Sequence, residues 1–164
     1  VEGWRIVPFA PRHAEGVARL ITGIQRGEFG LDITLADQPD LTDIDGFYAR
    51  GPHGPGCFLV AEDESGGVCG TIALRNIGGG RGALRKMFVA RGLRGAGLAA
   101  DLLEALTAWC AQNGVRSLWL GTTERFLAAH RFYEKHGFTR VEKSDLPPAF
   151  PLMAVDSVFY ARPL

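Results

Sequence analysis

Residues 83–111 read ALRKMFVARGLRGAGLAADLLEALTAWCA, and three signals follow one another within them. Leu84–Ala90 is an apolar run of strand length. Arg91–Gly97 is rich in glycine. Leu98, Leu102, Leu106 and Cys110 then recur every four residues, which is one face of a helix. A strand that turns tightly into a helix gathers several backbone N–H groups at one point. The first amides of a helix have no intrahelical acceptor and lie at the positive end of its dipole, so such a point attracts phosphate. Asn113-Gly114 stops the helix, and Val115–Leu120 (VRSLWL) reads as the next strand. A strand–helix–strand run of this length predicts a right-handed crossover and parallel pairing.

Spacing excludes two familiar phosphate motifs. The glycines of GLRGAG fall at 92, 95 and 97, which is not G-x-G-x-x-G, and no Gly-Lys-Ser/Thr follows as in a P-loop. What remains is Arg94-x-x-Gly97-x-Ala99, directly after a strand and directly opening a helix. Its small residues let a diphosphate approach the backbone closely. The stretch from Arg75 to Arg94 holds Arg75, Arg81, Arg85, Lys86, Arg91 and Arg94 and no acid, which predicts a basic segment at this cradle. Residues 28–45 carry the opposite bias, with Glu28, Asp32, Asp37, Asp40, Asp43 and Asp45 and no lysine or arginine. Placed at a site entrance, they form a negative rim suited to a cationic amine.

The flanking segments fill in a mixed α/β domain over 1–164. Trp4–Phe9 reads as a strand, His13–Thr22 as a helix, 28–45 as a loop, and Asp40–Arg50 as a helix-forming region. Cys57–Glu62 and Val68–Ile77 form a hairpin across DESGG, and Leu84–Ala90 extends it antiparallel. After Val115–Leu120 come a helix over Glu124–His136 capped by Thr122 or Thr123, a strand at Phe138–Lys143, a proline-rich loop, and a closing strand at Val155–Ala161. His13 reads as a surface histidine near its helix start.

A net charge of zero over 164 residues gives no bulk attraction for nucleic acid or membrane, and no apolar run approaches a membrane span. A cytoplasmic protein is expected. Cys57, Cys69 and Cys110 are widely spaced, so neither a metal site nor a disulfide framework is expected; buried reduced thiols are.

The Arg94–Ala99 turn after KMFV (86–89), the strand VRSLWL and the helix AAHRFYEKHGF (128–138) together resemble the GNAT superfamily of acyl-CoA-dependent N-acyltransferases. The resemblance covers residues 57–143 well and the first strand and helix loosely. It is strongest to bacterial members of unassigned acceptor, which often carry a QPDL stretch, here Gln38–Leu41. The resemblance implies a mostly antiparallel sheet with a splayed parallel pair around the cofactor and about four flanking helices. It implies acetyl-CoA as co-substrate, a small-molecule amine acceptor and a possible homodimer.

It also assigns residues. The backbone amides of Arg94, Gly95, Ala96, Gly97, Leu98 and Ala99 would hold the pyrophosphate of coenzyme A. The backbone of Met87, Phe88 and Val89 would pair with the pantetheine arm, and Tyr133 would protonate the departing thiolate. Tyrosine suits that task because it is protonated at neutral pH. His130 is a fallback acid, and His136 sits at a helix C-terminus. Many relatives carry a glutamate where this chain has Ala83, so the general base is open. Glu28, Asp32 and Glu124 are candidates, and Asp156 could bind the acceptor amine. The missing glutamate supports a rival reading, a non-catalytic acyl-CoA-binding domain. A nucleotide-binding regulator is a third.

Overall fold

The computed structural model describes residues 3–164. Seven strands form one sheet: β1 (Trp4–Pro8), β2 (Cys57–Asp63), β3 (Val68–Asn76), β4 (Arg81–Val89), β5 (Ser117–Thr122), β6 (Thr139–Val141) and β7 (Val158–Pro163). Their spatial order is β1-β2-β3-β4-β5-β7-β6, so the closing strand inserts between β5 and β6. Every neighbouring pair is antiparallel except β4–β5, which is parallel as the crossover requires.

Three α-helices cover the sheet: α1 (Ala14–Thr22), α2 (Leu98–Gln112) and α3 (Leu127–Lys135), with a fourth, π-helical segment at Asp45–Ala49. Leu98, Leu102, Leu106 and Cys110 of α2 are fully buried in the larger core, against Ile72, Leu74, Leu118 and Leu120 of the sheet. On the other side, Val17 and Ile21 of α1 pack with Phe58, Val60, Ala73 and Tyr48. Four-residue spacing on the helices and alternation on the strands thus built both cores. Among the described residues, no helix is long and apolar enough to cross a membrane.

α1 ends at Thr22 as expected, and a π-helical segment, Gly23–Glu28, follows it directly, its wider turn burying the consecutive residues Ile24 and Gln25. Two local expectations change. α3 starts at Leu127 without a threonine cap. Thr122 is the last residue of β5, and Thr123 Oγ1 accepts the Arg125 amide instead. His13 is buried, not on the surface. Its Nδ1 accepts the Ala10 amide at 2.9 Å, so Nε2 carries the proton and donates to Glu62 at 2.6 Å.

Candidate functional site

β4 and β5 pair only over Arg81–Ala83 and Ser117–Trp119 and then part. The other edge of β4 stays on β3 as far as Val89. The part of β4 from Leu84 onward therefore presents an unpaired backbone edge toward β5. The strands diverge after their last pair, Ala83–Trp119, and Ala83 is fully buried, so the position that lacks a glutamate lies inside the sheet.

Two cavities fill the gap. One, of about 660 Å³, runs from the end of β4 past the glycine turn to α3. The other, of about 100 Å³, lies on the far side under the 150–156 loop. They share the walls formed by Met87, Phe88, Phe126, Ala129 and Tyr133. A long ligand in the first can thus meet a small one in the second at a single place.

The larger cavity gathers most of the residues assigned to cofactor binding: Met87, Phe88, Val89, Arg94, Gly95, Gly97 and Ala99 line it. Gly97 occupies the N-cap position of α2 at φ +97, with no side-chain cap over the first amides of the helix. Gly95 precedes it at φ +80. A left-handed residue here aims successive amides outward at little cost only because it is glycine. Leu98 does not line the cavity, because its side chain belongs to the core, which leaves its amide as its one contribution. Ala96 is outside the lining as well, and its amide already bonds to the Leu93 carbonyl at 3.3 Å. An unpaired strand edge beside an uncapped helix N-terminus fits a long, diphosphate-bearing thioester.

The basic run does not collect at this cradle. Arg94 faces it, paired with Glu28 (Nη2–Oε1 2.8 Å) and bonded to the Val89 carbonyl at 3.2 Å. That guanidinium holds the Glu28 carboxyl below its ordinary value. Arg75 instead lies over the Phe47 ring at 3.8 Å, and Arg85 and Lys86 line the smaller cavity. The reason is a β-bulge. The β3–β4 register shifts between Thr71 and Ala73, and Lys86 takes φ +52, the one positive value among the described non-glycine residues. A bulge turns two consecutive side chains to the same side. Thr71 Oγ1 fixes it by donating to the Lys86 carbonyl at 2.6 Å.

Beneath the bulge lies a buried polar network. Lys86 Nζ donates to Gln38 Oε1 at 2.6 Å and is 3.7 Å from Asp40. Arg85 is also 3.7 Å from Asp40, and its Nε donates to Tyr48 Oη, which donates to Asp40 Oδ2 at 2.6 Å. Gln25 exchanges amide hydrogen bonds with Gln38. Burial pulls the Lys86 ammonium down to about 8. QPDL, noticed in the sequence only as a likeness, thus supplies Gln38 and Asp40 to hold Lys86. Arg85, which alternation places in solvent, is 11% exposed at its side chain.

None of the six acidic residues of the 28–45 stretch lines either cavity. Glu28 holds Arg94, Asp40 is internal, Asp37 bonds the Thr34 amide and hydroxyl, and Asp43 bonds the Gly46 amide. Asp32 and Glu124 are exposed and line neither cavity. Asp156 does line the smaller one. Its Oδ2 accepts the Met153 amide at 3.1 Å and sits so close over Gly121 that a Cβ there would lie 2.6 Å away. Burial raises its carboxyl above the ordinary value.

Tyr133 is buried on the shared wall, its hydroxyl 3.7 Å from Met87 Sδ, and burial raises its phenol above the ordinary value. His130 lines neither cavity, and its Nε2 donates to the Thr123 carbonyl at 2.9 Å. His136 closes α3, with its Nδ1 donating to the Phe132 carbonyl at 2.9 Å. None of the three cysteines lines a cavity. Burial pushes the Cys57 and Cys110 thiols up to about 12.

A sheet splayed at a parallel pair, with an uncapped helix N-terminus at one end of the cleft, defines a class for which close relatives exist. An acetyltransferase of the GNAT family from Staphylococcus aureus MU50 superposes with a TM-score of 0.93 at 32% identity, over 98% of each chain. An uncharacterized N-acetyltransferase from Schizosaccharomyces pombe is 32% identical over 117 residues, 70% of each protein. The N-acetylaspartate synthetase of Xenopus tropicalis is 38% identical over 110 residues, 66% of this chain; the chain spans about 40% of that relative's length. The family model for the acetyltransferase (GNAT) family matches residues 24–138, and the chain belongs to that family.

Proposed function

We propose that this protein transfers an acetyl group from acetyl-CoA to the primary amine of a small, amino-acid-like acceptor, directly and with both substrates bound together. The observation that carries this reading is the shared wall of Met87, Phe88, Phe126, Ala129 and Tyr133, where a long cavity meets a small one. The relatives named N-acetylaspartate synthetase add support for an amino acid as acceptor.

Acetyl-CoA, when bound, supplies an acyl carbon joined to a sulfur leaving group. The amides of Gly95, Gly97, Leu98 and Ala99 hold its pyrophosphate. The free edge of Met87–Val89 aligns its arm toward the shared wall. Holding two reactants in register can supply about 7–11 kcal/mol of a barrier. Tyr133 gives its hydroxyl proton to the sulfur as the C–S bond breaks; the phenol is neutral at pH 7 and lies on the wall where the two cavities meet. Attack by the amine itself is favoured because the cysteines lie outside both cavities.

Thiol release from acetyl-CoA across an amine panel tests the activity. Intact mass after incubation with acetyl-CoA alone tests the direct route. A stoichiometric acetyl adduct that survives denaturation on a residue of the site would overturn direct transfer.

A further inference from the structure

We infer that the acceptor carries a carboxylate beside its amine, that Arg85 and Lys86 bind the carboxylate, and that Asp156 takes the ammonium. This rests on the transfer reading above, and it replaces the cationic acceptor that the acidic 28–45 stretch suggests in the sequence.

Charge balance comes first. The smaller cavity is lined by Arg85, Lys86 and Asp156. Asp40 alone lies within ion-pair distance of the two cations, at 3.7 Å from each, and it is shared between them. Asp156 is within ion-pair distance of neither, so two cations share one paired carboxylate, and a zwitterion can set its anion on the cations and its ammonium on Asp156. Donor capacity agrees. Arg85 spends Nε on Tyr48, Nη1 on the Pro151 carbonyl and Nη2 on the Met153 sulfur, which leaves guanidinium N–H groups uncommitted. Lys86 spends one N–H on Gln38.

The strained bulge adds a second argument. A lysine at φ +52 is held there by Thr71, Gln38 and Asp40, and such strain persists where the surroundings over-determine it. Its consequence is that two cations meet on one side of β4, directly before the shared wall.

Asp156 completes the zwitterion. Its Oδ2 is fixed by the Met153 amide above Gly121, on the β5 side of the gap, while Oδ1 takes no hydrogen bond from the described residues. The cavity, at about 100 Å³, suits a small acceptor. The ammonium loses one proton to Asp156, and the neutral nitrogen forms the C–N bond as the C–S bond breaks. Sulfur takes the Tyr133 proton. The second proton shed by nitrogen restores Tyr133 through solvent, and Asp156 releases its own to water. Asp156 thereby fills the place left by Ala83.

The test is calorimetric titration of coenzyme A-loaded protein with L-aspartate, L-alanine and L-alaninamide, beside thiol release from acetyl-CoA with the same three. L-alanine should bind at least tenfold tighter than L-alaninamide. The margin should shrink above about pH 8, as Lys86, which faces Asp40, Arg85, Asp156 and Gln38, loses its proton. K86M should abolish the margin without lowering affinity for L-alaninamide. Should that variant fail to fold, the wild-type series still decides. D156N should cut kcat at least a hundredfold and remove the ascending limb of its pH profile. Equal affinity for the acid and the amide, or no binding of any of the three, overturns the carboxylate site whatever the transfer assay shows. Graded binding without thiol release overturns the transfer reading and the base role of Asp156 but leaves recognition intact. An unchanged pH profile in D156N overturns its role alone.

Discussion

The two cavities are made of different material. The larger offers its polar groups from the backbone, at an unpaired strand edge, the amides around Gly95 and Gly97 and an uncapped helix N-terminus, set among apolar side chains such as Phe29, Leu93 and Phe132. The smaller offers side chains, Gln25, Arg85, Lys86 and Asp156, the first three held from behind by Gln38, Asp40 and Tyr48. A backbone site depends on turn geometry and tolerates change in the side chains around it. A side-chain site depends on every partner in a buried network, and losing one leaves the others uncompensated. The first kind suits a ligand common to a family, and the second suits a ligand particular to one member.

That contrast can be broken experimentally. The largest effect is expected where the two cavities meet. Tyr133→Phe should lower kcat by about 10²–10⁴-fold while leaving coenzyme A affinity unchanged, as read by steady-state kinetics and calorimetry. An unchanged kcat would remove Tyr133 from the mechanism. On the acceptor side, Asp40→Asn leaves Arg85 and Lys86 without their shared carboxylate. Urea unfolding should show a loss of about 3–5 kcal/mol. A loss near zero would mean that the network is not what fixes the bulge.

On the cofactor side the expected cost is smaller and more local. Gly97→Ala forces a side chain into φ +97, worth about 1–2 kcal/mol, or roughly tenfold in coenzyme A affinity. Acceptor affinity should not move, and a parallel fall in both would erase the distinction between the cavities. Glu62, remote from both, gives a control in pH. His13, Arg5 and Arg12 hold its carboxyl down to about 2, from an ordinary value of 4.5. A depressed carboxyl contributes stability that is full above the unfolded value and lost as pH falls through the folded one. Melting temperature should therefore drop between about pH 4.5 and 2 in the wild type and more weakly in Glu62→Gln. Smallest of all, Glu28→Gln frees Arg94 from a partly exposed pair and should change stability by less than about 1 kcal/mol, measured by thermal melts.

The glycine-turn side of the cleft was legible in the sequence because its signals are local. Leu98 to Cys110 at four-residue spacing, glycines at 95 and 97, and a strand directly before them determine a strand–turn–helix with free amides whatever surrounds it. Tyr133 was singled out by the family resemblance of the helix that carries it, and it lies on the shared wall. The basic run misled, because alternation assumes a regular strand. The bulge at Lys86 breaks the alternation, and its cause, Thr71 on the neighbouring strand, is fifteen residues away in sequence. The acidic stretch misled for a related reason. A carboxylate in a sequence carries no sign of its partner, and Asp40 and Glu28 find theirs 45 or more residues downstream.

The strand–turn–helix order, the α2 face and the glycine turn follow from periodicity and backbone freedom within a few residues, so they can be read along the chain. Which charges meet depends on long-range packing. Burial makes an ion pair or hydrogen bond obligatory, but which partner satisfies it depends on sheet order, on a one-residue shift in register and on the loop that brings Asp156 over Gly121. The cradle was therefore written locally, and the choice of what is brought to it was left to the fold.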